Sequence, residues 1–127
     1  MSALLRSLLL PLCAAGGLLL GGCGGKPTAT ACPTDNTLTA TNFGNDFMSR
    51  YCIRCHASSL KGSARQGAPQ DVNLDTRAGV LAESSSIDEE AGASATVTNT
   101  DMPPGGAAPS VDERRKLSQW LACGAPE

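Results

Sequence analysis

The chain has 127 residues, with 10 basic against 12 acidic side chains for a formal net charge of −2, and its only aromatic residues are Phe43, Phe47, Tyr51 and Trp120. That length allows one small domain, and so few aromatic side chains leave its hydrophobic core short of bulk, so a covalent staple or a buried cofactor is expected. No basic patch interleaved with aromatic residues is present, which argues against nucleic-acid binding.

Residues 1–22 read as an export signal. Arg6 precedes an apolar run from Leu8 to Leu20, broken by Pro11 and by Gly16-Gly17. The run falls short of the ~20 residues a membrane-spanning helix needs. Leu20-Gly21-Gly22-Cys23 resembles a bacterial lipobox, in which Cys23 is lipidated and becomes the first residue of the mature chain. Ordinary signal cleavage, leaving Cys23 free, is the alternative. Acyl chains contribute ~0.8 kcal/mol per buried CH₂, so several of them hold a protein at a membrane without spanning it. Gly24 follows the cysteine where an inner-membrane retention signal has aspartate. In a cell with two membranes this points to the outer membrane, with the protein facing the periplasm. Residues 23–35, rich in Gly, Thr, Pro and Ala without apolar periodicity, read as a lipidated flexible spacer. Residues 36–127 read as the folded domain.

The first helix is expected over Thr41–Tyr51, where Phe43, Phe47 and Tyr51 recur at i, i+4 and i+8. Directly after it stands Cys52-Ile53-Arg54-Cys55-His56. Two cysteines three apart followed by histidine form the spacing that attaches a c-type haem. On one helical turn both thiols project to one side, where they can add to the two vinyl groups of one porphyrin edge, while His56 can ligate the iron. A thioredoxin-like pair would need a βαβ surround, and a zinc knuckle would need a second closely spaced ligand pair. Neither is present, since Cys32 and Cys123 are far apart in sequence. In an oxidising compartment these two leftover thiols are expected to pair, closing the domain's start onto its end for ~2 to 4 kcal/mol. Two free thiols are the alternative.

With the motif and its leading helix in place, the domain from about Asn36 onward resembles a small class I monohaem cytochrome c. The resemblance implies an all-α fold, a cytochrome c-like helical bundle around one covalently attached haem c. That family places a glycine eight positions and a large apolar residue four positions before the first haem cysteine, to receive the C-terminal helix. Gly44 and Met48 hold those positions here, and Phe47 can share the contact. In the loop Ala57–Gln70, the resemblance implies that the carbonyl of Pro69 accepts the second ring N–H of His56, fixing the ring. A plain turn proline is the alternative.

Asp75 or Thr76 can cap a short helix carrying Val80 and Leu81, and Ser86 to Glu89 match a second capping box. Glu83, Asp88, Glu89 and Glu90 would form a solvated acidic face, or else a docking patch for a basic partner. Asp101-Met102-Pro103-Pro104-Gly105 is the second stretch with chemistry. The chain has one histidine, so ligation by two histidines of this chain is excluded and a sixth iron ligand must come from elsewhere. Met102 stands where the resembling family places its distal methionine, in a loop that two prolines stiffen. A packing methionine beside an open iron is the alternative. Pro109 to Glu113 form a capping box for the last helix, whose Leu117, Trp120 and Leu121 make one face. Gly124 and Pro126 end that helix, and Arg114, Arg115 and Lys116 are expected in solvent.

With no general acid, base or nucleophile constellation, the expected function is that of a monomeric, membrane-tethered electron carrier and not an enzyme, exchanging electrons with redox partner proteins. A gas sensor with an open distal site, a docked electron-transfer subunit of a larger oxidoreductase, and a zinc- or disulfide-stabilised structural lipoprotein are the competing readings.

Overall fold

The computed structural model describes residues 24–127, so the signal segment and the lipidation at Cys23 lie outside the described residues. Within them the chain is all-α. The only β pairing is an isolated antiparallel bridge between Ala93 and Thr98.

Thr39 opens the first helical segment through a capping box with Asn42. A π-helical turn, Ala40–Gly44, runs into α1, Asn45–Tyr51, and then into the short α2, Ile53–His56. The aromatic stripe predicted from the sequence packs as a ladder: ring centroids lie 5.5 Å apart for Phe43 and Phe47, and 5.0 Å apart for Phe47 and Tyr51. A 3₁₀ turn, Gly62–Arg65, interrupts the following loop. Thr76 then caps α3, Arg77–Ala82, by accepting from the Gly79 N–H.

The next helix departs from the expected cap at Ser86. Helix α4, Ser84–Ala91, begins after Glu83 without a side-chain cap. Glu83 N–H still bonds to the Gly79 carbonyl and the Glu83 carbonyl already takes Ile87 N–H, so α3 hands over to α4 before Ser86 can act.

Helix α5, Val111–Ala122, carries the predicted capping box: Ser110 Oγ accepts from the Glu113 N–H, and the Glu113 carboxylate accepts from the Ser110 N–H. It crosses the first helical segment at Gly44, where a Cβ would stand 2.3 Å from Trp120 Cζ2. Phe47, Met48, Leu117, Trp120 and Leu121 are buried around this crossing. Only a residue without a side chain lets the helix and the indole approach so closely.

Residues 24–35, expected as a flexible spacer, lie instead along the domain. The Thr28 N–H and hydroxyl donate to the two carboxylate oxygens of Asp88, each at 2.9 Å, and Ser118 Oγ donates to the same carboxylate at 2.6 Å. Lys26 and Asn99 exchange two further hydrogen bonds. Asp88 is therefore no part of a solvated acidic face. Its partners are 60 and 30 residues away in sequence, which is why local composition suggested an unstructured linker. A disulfide joins Cys32 to Cys123, with Cα atoms 4.7 Å apart.

Candidate functional site

Helix α1 stops at Tyr51 because Cys52 turns the chain, with φ −112° and ψ −53°. The N–H groups of Cys55 and His56 both return to the Cys52 carbonyl, at 3.1 and 3.0 Å, which folds the pentapeptide into one turn. The two thiols are free and half-buried. They line a cavity of about 410 Å³ together with His56, Pro69 and Met102, residues the sequence reading singled out separately. Phe47, Tyr51, Leu74 and Ile87 supply apolar wall.

Pro69 lines the cavity, but its carbonyl does not take the histidine N–H. His56 Nδ1 lies 3.2 Å from the Val72 carbonyl. The Pro69 carbonyl accepts from Arg65 Nη2 at 2.5 Å. With Nδ1 turned to the backbone, Nε2 is the ring nitrogen left for a ligand. The Leu74 N–H donates to the His56 carbonyl at 2.7 Å, so the backbone of this turn is also fixed to the segment that carries the acceptor.

Met102 is held by its backbone on both sides. Its N–H donates to the Glu90 carbonyl at 2.9 Å, and its carbonyl accepts from Arg114 Nη1 at 2.9 Å. Arg114 was expected in solvent and is instead 3% exposed. The same nitrogen donates to the carbonyls of Ala91 and Asn99, at 3.0 and 2.8 Å. Burial lowers the guanidinium's pKa, but a guanidinium stays charged in proteins. Arg115 and Lys116 are exposed as expected. Met48 is buried in the core beside Phe47 and does not line the cavity. A hydrogen bond from the Arg54 guanidinium to the Gly105 carbonyl ties α2 to the Met102 loop.

Arg65 is a site residue that the sequence reading missed. It is 2% exposed and lines the cavity. Its partners are almost all backbone carbonyls, which no local sequence pattern announces. The loop also carries Lys61, so its basic residues alone did not single out Arg65.

Burial pushes the Cys52 thiol up to about 12. A thiol so poorly ionised is a poor exchange nucleophile. Cys32 and Cys123 are joined to each other, and among the described residues no three or more His, Cys, Asp or Glu side chains gather as a metal site. What the cavity does offer is two thiols, one imidazole nitrogen and one thioether on an apolar wall. Such a set can hold a flat apolar ligand through carbon–sulfur and metal bonds. Among the described residues no helix is long and apolar enough to cross a membrane. Compared with protein-family models, curated proteins and solved structures, the chain matches none.

Proposed function

We propose that this protein is an electron carrier of the class I cytochrome c type, a helical bundle holding one haem c bound through Cys52 and Cys55, with His56 and Met102 as iron ligands. The observation that carries the reading is convergence: the Cys52–His56 turn and Met102, far apart in the chain, line one apolar cavity. The crossing of α5 at Gly44, which the resemblance implied, supports the same architecture.

When bound, the haem supplies a one-electron couple between ferrous and ferric iron. The chain's own residues do the rest. Cys52 and Cys55 would fasten the cofactor, so that it stays bound when the iron's ligand bonds weaken. His56 presents Nε2 because Nδ1 is engaged with the Val72 carbonyl. Met102 is offered on a loop anchored through both its N–H and its carbonyl, so little ordering entropy is lost when its sulfur binds. A thioether ligand raises the reduction potential. The apolar wall excludes water and keeps reorganisation small. By this reading the protein works outside the cytoplasm, tethered through lipid on Cys23 to the membrane where redox partners also sit, which raises its effective concentration near them.

The test is expression in cells able to mature c-type haem. The expected product keeps its haem stain on a denaturing gel and loses it in the double variant Cys52→Ala/Cys55→Ala. Met102→Ala is expected to abolish a sulfur-to-iron band in the near red and to open the reduced iron to carbon monoxide. A folded but colourless wild-type protein refutes the proposal, and an unchanged Met102→Ala spectrum removes that residue from the site.

A further inference from the structure

Arg65 has no part in fastening or ligating the cofactor, yet it is among the most completely buried side chains of the molecule. A buried cation normally sits against a carboxylate, because leaving water costs it several kcal/mol. None of the ion pairs among the described residues involves Arg65. Its guanidinium is satisfied by neutral acceptors. Nη1 donates to the Ala57 carbonyl at 2.8 Å and to Asn73 Oδ1 at 3.0 Å, and Nε donates to the Ala68 carbonyl at 3.3 Å. Nη2 donates to the carbonyls of Pro69 and Val72, at 2.5 and 2.6 Å. The last of these acceptors is the carbonyl that faces His56 Nδ1 at 3.2 Å.

We infer that Arg65 is a positioning residue for His56 which raises the reduction potential of the site, by sharing the Val72 carbonyl with the histidine and by holding a positive charge beside the cavity. The inference rests on the haem reading above and deepens it. A carbonyl oxygen that already accepts a short, charge-assisted bond has less electron density to offer a second donor. The His56 N–H is accordingly held in direction but weakly bound. A strong acceptor at that N–H makes a ligating imidazole more basic and favours the oxidised metal. A weakened one favours the reduced metal. The fixed charge acts the same way, since oxidation adds positive charge to the site. A unit charge ~10 Å from a redox centre, at an effective dielectric of ~20, shifts its equilibrium roughly tenfold, or about 59 mV for one electron.

Redox titration of the haem-loaded protein at constant pH tests this, with Arg65→Gln and Arg65→Lys compared to wild type. Arg65→Gln removes the charge and is expected to shift the equilibrium roughly tenfold toward the oxidised form. Arg65→Lys keeps the charge and is expected to stay within about threefold of wild type. An Arg65→Gln midpoint within twofold of wild type overturns the inference. So does an equal fall in both variants, which loss of packing alone would produce. Should Arg65→Gln not fold, the wild type decides. In its reduced, diamagnetic form, scalar coupling across the hydrogen bonds to the Val72 carbonyl carbon is expected to be larger for Arg65 Nη2 than for His56 Nδ1, and the reverse order overturns the inference. A colourless protein removes the haem reading and this one together, whereas a coloured one of unchanged potential removes this one alone.

Discussion

The sharpest steric prediction concerns Gly44. A Cβ there would stand 2.3, 2.6 and 2.7 Å from three ring carbons of Trp120, Cζ2, Cη2 and Cε2. Relief therefore requires about 1 Å of movement by the indole or by the helix. The indole has little freedom to give: it is 2% exposed, its Nε1–H donates to the Pro126 carbonyl at 3.1 Å, and its edge meets the Phe43 ring with centroids 6.3 Å apart. Overpacking of this kind costs ~1–3 kcal/mol. Alanine's better helix preference returns ~0.5–1 kcal/mol. Gly44→Ala is thus expected to lose about 1–2 kcal/mol, read as a lower denaturation midpoint at unchanged slope. Gly105→Ala is the control, because a Cβ there meets nothing within 4 Å, and it is expected to be near neutral. Trp120→Phe removes the atoms in conflict, so the pair Gly44→Ala/Trp120→Phe should show non-additivity of more than about 0.5 kcal/mol. A Gly44→Ala protein as stable as wild type, with a strictly additive cycle, would refute the close crossing of α5.

Reduction of the Cys32–Cys123 bond, or Cys32→Ser/Cys123→Ser, opens a loop spanning a sequence separation of 91. It is expected to cost about 4.6 kcal/mol in the chain-entropy picture, measured by denaturant unfolding. The Glu113 carboxyl is held below its ordinary value, first by the Ser110 N–H and further by the Ser110 and Tyr51 hydroxyls. A depressed carboxyl stabilises the fold above its unfolded value, here 4.5, and that contribution is lost as pH falls through the folded value. Stability measured on the acid side of that value is expected to fall less steeply in Glu113→Gln than in wild type, and parallel curves would count against it. Asp88→Ala removes the acceptor shared by Thr28 and Ser118. Hydrogen exchange should show the Thr28 amide losing protection while the middle of α5 keeps it. Unchanged protection at Thr28 would mean that the N-terminal segment is held by something else.

What the sequence made legible was local. The Ser110/Glu113 capping box, the aromatic ladder of the first helix and the one-turn Cys52–His56 motif each depend on residues within a turn or two of one another, and the structure has all three. Two long-range contacts were within reach: Gly44 against the last helix, which the family resemblance supplied, and Cys32 with Cys123, which cysteine arithmetic suggested. What stayed hidden was long-range and polar. Arg114 shares a face with Leu117, Ser118 and Leu121 at i+3, i+4 and i+7, so periodicity alone placed it inward. Its charge outweighed its register in the reading, and register was the better guide. The exchange of Val72 for Pro69 beneath His56 had no such signal, since one loop carbonyl looks like another until the chain path is known.

The two buried arginines explain why the loops could not be read and why they nevertheless hold the site. Between α2 and α3, and again between α4 and α5, the chain has almost no regular structure, so its carbonyls lack ladder or helix partners. A guanidinium carries five N–H donors in a rigid plane, and one placed at the centre of a loop can serve several carbonyls at once. Arg65 does this for the loop that fixes His56, and Arg114 for the loop that fixes Met102. Both residues expected to face the metal are therefore oriented by a buried cation acting on backbone, not by the helices alone. Lysine at either position would keep the charge but lose the fork.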